Sequence, residues 1–355
     1  LRNNDDSHFF KERAMIEDVF QPVKMKLSEL IKHRDNFLSS LTTKRKETVG
    51  TYERALREFV QFFPQDGKFF FRVQDVERYR KHLAQAKKMQ DASIATYMTS
   101  LRRLCQYLVD IEVLEKNPAT RVYGSARPKQ HNRTFLTLEE VDILLNSIDR
   151  SNSAGLRDVA IIRLMLGCAC SEIELTSLDV GDLEQQGKST FLLMQGKGKS
   201  IKDERVQVPH DTALAIQDYL KSRTTTDANG VEHPPALDSP MLLSYSNRSQ
   251  GGRITIRGLR EAILLRLKSS GVQKGRTGRL TPFSLRHTAG ILMVEAGATV
   301  EELMTRMRIA WRPTAMLYFK QKGKLHSNDN VDSRALVSLE KTVKRKKSAK
   351  SVKKT

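Results

Sequence analysis

The sequence predicts two domains, both mainly α-helical, the second carrying a small antiparallel β-sheet: an α+β chain overall. Three observations predict this. Apolar residues recur at helical spacing through most of the 355 residues. A stretch rich in Gly, Pro, Lys and Arg interrupts them once, between two sets of helical patterns. One later segment, STFLLMQGKGKSIKDERVQVP, reads as two short apolar strands around a Gly/Lys turn.

Residues 1–26 form a polar lead-in with one helical-looking piece, HFFKERAMIEDVF. Residues 27–122 are helical throughout. In TVGTYERALREFVQFF, Tyr52, Leu56, Phe59 and Phe63 share one stripe. In DASIATYMTSLRRLCQYLVD, Ile94, Tyr97, Leu101, Leu104 and Leu108 do the same, at spacings of 3 and 4. Arg102 and Arg103 fall off that stripe, so they are free to meet a partner. VQDVERYRKHL is a shorter helix between the two. KNPAT closes the block, because Pro118 disfavours helix at Asn117.

Residues 123–133, YGSARPKQHNR, read as an exposed basic linker that presents Lys129 and Arg133. The second domain, 134–322, opens at TLEEVDILL, where Thr137 and Glu140 have capping-box spacing. AGLRDVAIIRLMLGCACSEIELTSL predicts a helix, a break near Gly167 and a second helix. The hairpin follows, then helices at DTALAIQDYLKS, RITIRGLREAILLRLKSS, LRHTAGILMVEAG, TVEELMTRM and PTAMLYF. Residues 323–355 form a C-terminal segment, in which RALVSLEKTV could dock as a helix on a neighbouring protomer. From Lys341 the tail has eight basic residues and no acidic ones, and predicts disorder in isolation.

Lys plus Arg number 61 against 41 Asp plus Glu, a net charge of +20. The excess is interleaved with the apolar helical patterns rather than confined to the tail. It points to a polyanion, and nucleic acid above others. The three cysteines, Cys105, Cys168 and Cys170, have neither disulfide-framework nor zinc spacing, so they predict core packing in a reducing compartment. The longest apolar run, VAIIRLMLGCAC, is too short to span a membrane and contains an arginine. A soluble cytoplasmic, nucleoid-associated protein is expected, or a nuclear one in a eukaryotic host. QGKGKS is not a phosphate loop: Leu193 stands where that motif needs its first glycine, and a strand follows instead of a helix.

The order of these pieces carries the functional signal. A basic helical domain and a basic linker precede RDVAIIRLML…SEIELTSLDVGDL. A GKG hairpin, SLRHTAGILMVEAGA and then a tyrosine in PTAMLYF follow. In this order the chain resembles the tyrosine recombinase (phage integrase) family over roughly residues 27–322. The resemblance implies an all-α core-binding domain and a recombinase-type catalytic domain forming a C-shaped clamp on double-stranded DNA. It also implies a chemistry without metal or cofactor, in which a tyrosine attacks a DNA phosphate to give a 3′-phosphotyrosyl link. Two arginines, a hairpin lysine, a histidine and a histidine or tryptophan would stabilise the five-coordinate phosphate.

Carried over by position, Tyr318 matches the nucleophile, Arg286 the second arginine and Lys197 the hairpin lysine. Three positions depart. Ala169 stands two residues before the Ser171–Glu172 pair, where the first arginine belongs. Phe283 stands three before Arg286, and Ile309 nine before Tyr318, where polar groups belong. Lys199, His287 and Arg308 around the site, with Arg102, Arg103, Lys129 and Arg133 upstream, are candidate DNA contacts. Losing one preorganised donor typically costs about 10²–10³ in rate, so a degenerate active site is expected. The primary reading is a recombinase-like DNA-binding protein with impaired or absent strand cleavage. The alternative is an active site-specific recombinase of a mobile element using Tyr318. Either acts as a homo-oligomer on DNA or with a partner recombinase. Without the family order, Tyr318 would read as core beside Leu317 and Phe319.

Overall fold

A computed structural model describes residues 22–44, 46–66, 68–124, 134–196, 201–247 and 249–321. The chain divides into two compact units, Leu1–Pro128 and Lys129–Thr355. The lead-in helix expected at HFFKERAMIEDVF, the linker residues Lys129 and Arg133, and the segment beyond residue 321 lie outside the described residues.

The first unit is helical: α1 Leu27–Ser40, α2 Lys46–Asp66, α3 Val73–Gln85 and α4 Asp91–Asp110. The expected stripes face inward. Leu56, Phe59, Leu101, Leu104 and Leu108 are fully buried, and Tyr52 and Tyr97 pack at the margin. Met98, between the α4 stripe positions, is buried as well. Phe59 anchors an aromatic centre, its ring 5.1 Å from both Phe69 and Tyr79. At the start of α3 the buried Asp75 accepts from the backbone N–H groups of Phe70 and Arg72, each at 2.9 Å. These bonds satisfy donors a helix start leaves open. After α4 the chain closes on a 3₁₀ turn, Pro118–Thr120. Asn117 caps it, its Oδ1 accepting from the Ala119 N–H at 3.1 Å.

The second unit contains α5 Leu138–Asn146, α6 Ser153–Gly167, α7 Glu172–Thr176, α8 His210–Lys221, α9 Ile256–Ser269, α10 Pro282–Glu295, α11 Val300–Arg306 and α12 Arg312–Phe319. Thr137 and Glu140 form the expected capping box on α5. The strands β1 Leu183–Gln186, β2 Ser189–Gln195 and β3 Lys202–Val208 form one antiparallel sheet in that order. A second, two-residue pair joins β4 Thr225–Thr226 to β5 Glu232–His233. The β2–β3 hairpin is thus part of a three-stranded sheet, with Leu183 opposite Leu192 and Phe191 opposite Gln207.

Helices α6 and α10 are buried on almost every side, as a helix apolar all round requires. They pack against each other at the centre of the unit. Buried charge on α6 is paired: Arg157 and Arg266 both donate to Asp158, at 2.6 and 2.7 Å. The three cysteines are free and buried. No helix among the described residues is long and apolar enough to cross a membrane.

Candidate active site

The site is assembled from three chain reversals: the start of α10 and the ends of α6 and α11. Helix α10 starts at Thr281 with Pro282 in its first turn, where a missing N–H costs nothing. Arg286, His287 and Gly290 then follow along its buried length. The segment entering α5 is tied to the same helix, the Leu136 N–H donating to Thr288 Oγ1 at 2.9 Å.

Helix α6 ends at Gly167, and two residues on Ala169 takes a left-handed conformation, φ 49°. Helix α11 ends in a Schellman motif: the Arg308 N–H bonds Thr305 C=O at 3.1 Å, and the Ile309 N–H bonds Met304 C=O at 2.8 Å. That motif needs a left-handed residue, usually glycine. Here it is Arg308, at φ 51°. A side chain in that region costs about 1–2 kcal/mol.

The side chain of Arg308 turns inward to the end of α6. Its Nη2 donates to Ala169 C=O at 2.8 Å, and its Nε to Glu174 Oε1 at 2.6 Å. Arg286 reaches the same two acceptors, with Nη1 on Ala169 C=O and on Glu174 Oε2 at 3.1 Å. Its Nη2 donates to Met307 C=O. Arg306 adds a bond to Gly167 C=O at 3.0 Å. Three guanidinium groups thus gather at the end of α6, Arg306 on the Gly167 carbonyl of the helix and Arg286 and Arg308 on the Ala169 carbonyl just beyond it, where the helix dipole favours cations.

Glu174 is the hub. It belongs to the capping box of α7, its Oε2 accepting from the Ser171 N–H at 2.6 Å. Burial pushes its carboxyl up, but Arg308, then Arg286 and the Ser171 N–H outweigh that and hold it below the ordinary range. Burial pulls Arg286 down, against the pull of Glu174. Arg308 is also penalised by burial, yet its two bonds to Glu174 leave it raised.

Tyr318, on α12, is 3% exposed. Its ring lies 4.9 Å from the His287 ring, tilted by 52°. It is seated on Gly290: a Cβ there would stand 2.5 Å from Tyr318 Cε1 and 2.7 Å from Met307 Sδ. Only a residue without a side chain leaves that space. Tyr318 and Met307, whose carbonyl Arg286 bonds, belong to one apolar cluster. Ile309 packs against the apolar cluster containing Tyr318, and Phe283 is half-buried near the start of α10.

Arg286, Tyr318, His287, Arg308 and Ala169 therefore converge on one place. Lys197 and Lys199 lie in 197–200, outside the described residues. The strands leading to them are held from the side. Lys202 Nζ donates to Asp179 and Asp182 at 2.6 and 2.5 Å, and Arg253 bonds Asp179 as well. In the first unit, Arg103 is exposed. Arg102 is engaged internally, Nε donating to Ala119 C=O at 3.0 Å and Nη2 to Val122 C=O at 3.1 Å.

Glu174 escaped the sequence reading, although Ser171 and Glu174 have the same capping-box spacing that was recognised at Thr137 and Glu140. The Lys202 anchor left no signal, because its partners are twenty or more residues away.

The helical first unit, the three-stranded sheet and a buried arginine in one cluster with a tyrosine are the features by which the chain can be compared with known families. The phage integrase family matches residues 134–321, and that family's N-terminal SAM-like domain matches residues 35–112. The chain belongs to the phage integrase (tyrosine recombinase) family. The tyrosine recombinase XerC of Actinobacillus succinogenes is 29% identical over 269 residues, covering 74% of this chain and 83% of its own length. XerC of Leptospira interrogans serovar copenhageni is 24% identical over 295 residues, covering 82% and 88%. Among solved structures, the Tn1549 transposon integrase with circular intermediate DNA matches with a TM-score of 0.62. It is 15% identical, over 81% of this chain and 94% of that one. XerH recombinase in a pre-cleavage complex with its difH substrate gives 0.59 at 15% identity, over 85% and 97%. At this identity the structures speak for the fold.

Proposed function

We propose that the chain binds duplex DNA as a recombinase-fold protein whose own strand cleavage is impaired or absent. One observation carries this reading. At the first-arginine position stands Ala169, and the remaining clamp arginine, Arg286, spends donors on Ala169 C=O, Glu174 and Met307 C=O, which leaves fewer for a phosphate. A transition-state phosphate needs donors aimed at it in advance. Phe283 and Ile309 offer none from their side chains. Tyr318 is buried, its ring packed on His287 and Gly290, which is not the exposure that attack on a DNA phosphate needs. The XerC relatives and the DNA-bound structural neighbours support duplex DNA as the partner. So does the charge of +20. The chain then works as a homo-oligomer on DNA or beside an active recombinase, with Arg103, Lys129, Arg133 and Lys199 among the phosphate contacts.

The second reading is an active recombinase that forms a 3′-phosphotyrosyl link through Tyr318. The packing of the Tyr318 ring on His287, the residue after Arg286, favours it. A pool of nicked duplexes with randomised arms separates the two, because the short leaving strand diffuses away and traps any covalent adduct. Wild type and Tyr318→Phe are run on denaturing gels, alone and with a co-resident recombinase. The proposal expects binding without an adduct from wild type alone. An adduct formed by wild type and lost in Tyr318→Phe would establish the active reading instead.

A further inference from the structure

We propose that Arg308 has taken over the charge of the missing first clamp arginine, acting through Glu174 and not by touching DNA. This rests on the reading of the site as a phosphate clamp. Three independent observations lead there. The first is position: the Arg308 guanidinium bonds the backbone of Ala169 itself, so the cation absent from that residue's side chain is resupplied at its carbonyl. The second is charge. Glu174 is buried and paired with both Arg286 and Arg308. With Arg308 present, Glu174 and the two arginines bonded to it carry a net charge of about +1, to which the neighbouring Arg306 adds its own; without Arg308 the cluster falls by one charge and Glu174 neutralises Arg286 alone, which weakens the pull on a phosphate. The third is backbone strain. The turn after α11 requires the left-handed residue for which glycine is the ordinary choice, and this chain holds arginine there at φ 51°. An outlier kept at such a position points to a task for its side chain.

The Arg308 side chain is 4% exposed, more buried than that of Arg286 at 11%. Its role is therefore positioning and charge balance. It engages one oxygen of Glu174 with Nε and the other with Nη2 at 3.0 Å, which leaves Arg286 a monodentate partner of the carboxylate. Loss of Arg308 would free the Glu174 carboxylate to close bidentately on Arg286. That geometry is the strongest that an arginine and a carboxylate form, and it would draw Arg286 from DNA.

The test reads the salt dependence of binding to a 30-base-pair duplex of mixed sequence, for wild type, Arg308→Gly, Arg308→Lys, Arg286→Gln and the exchange Ala169→Arg with Arg308→Gly. Glycine suits the left-handed turn, so Arg308→Gly keeps the backbone, and its thermal midpoint is recorded beside that of wild type. The slope of log affinity against log salt should fall by about 0.9 in Arg308→Gly, as for one lost phosphate contact. Between 50 and 200 mM salt that is about a 3.5-fold smaller loss of affinity. Arg308→Lys should keep the wild-type slope, and the exchange variant should regain it. If Arg286→Gln lowers the slope while Arg308→Gly does not, Arg308 is a structural staple and the proposal falls. If Arg308→Gly and Arg308→Lys lower it equally, charge is not what Arg308 supplies, and the proposal falls as well. If Arg286→Gln leaves the slope unchanged, the clamp reading itself fails and takes this inference with it.

Discussion

At the scale of single residues, the buried carboxylate of Glu174 determines how the site responds to acid. Its native value is lowered, because Arg308 and Arg286 favour the charged form more than burial disfavours it. A carboxyl with a depressed folded value binds fewer protons folded than unfolded. Its stabilisation is therefore complete above the unfolded value, about 4.3, and is lost as pH falls through the lower native one. Glu174→Gln should cost about 3–5 kcal/mol at neutral pH, since it leaves two buried guanidinium groups without their anion. Urea unfolding at a series of pH values checks both points. The gap between wild type and Glu174→Gln should narrow below pH 4; a constant gap down to pH 3 would mean that Glu174 is not the titrating group. Gly290 belongs to the same scale. It is required by the contact with the Tyr318 ring and not by a turn.

At the scale of elements, α4 separates two kinds of arginine that are neighbours in sequence. Arg102 bonds the carbonyls of Ala119 and Val122 and thereby holds the 3₁₀ turn to the helix. Arg103 is exposed. Arg102→Ala should lower the stability of the chain by about 1.5–3 kcal/mol, because the buried Ala119 carbonyl loses a charged donor. Arg103→Ala should change stability by less than about 0.5 kcal/mol and weaken duplex binding. Thermal unfolding and a binding titration on both variants check this, and weaker DNA binding by Arg102→Ala at unchanged stability would reverse the roles. The sequence placed both residues off the apolar stripe, because periodicity reports direction and not partners. The same limit recurs elsewhere. The helices of both units were legible from spacing, and the break near Gly167 from its composition. Strand β1 was not, since Leu183–Gln186 is polar after its first residue and offers no alternation. The turn at Arg308 was not legible either: an arginine in a left-handed cap contradicts the rule by which such caps are read.

At the scale of the whole molecule, the basic excess is spread over both units and the tail, so many weak phosphate contacts are expected instead of one strong patch. Each neutralised phosphate adds about −0.9 to the slope of log affinity against log salt. With six to ten such contacts, affinity should drop by about 10³–10⁵ between 50 and 200 mM salt, and a flat profile would be incompatible with the proposed duplex binding. The final residues, Lys341–Thr355, hold eight of the basic groups and no acid. They lie outside the described residues, so charge alone sets the expectation for them. Contacts to phosphates position a protein but carry no sequence information, whereas contacts to base edges do. Deleting Lys341–Thr355 should therefore lower affinity for every duplex by a similar factor and make the salt slope shallower. The order of preference among duplexes should not change. Competition binding against a panel of duplexes, with and without the tail, measures that order directly. If the order shifts on deletion, the tail reads sequence. Recognition would then lie partly beyond the two family domains.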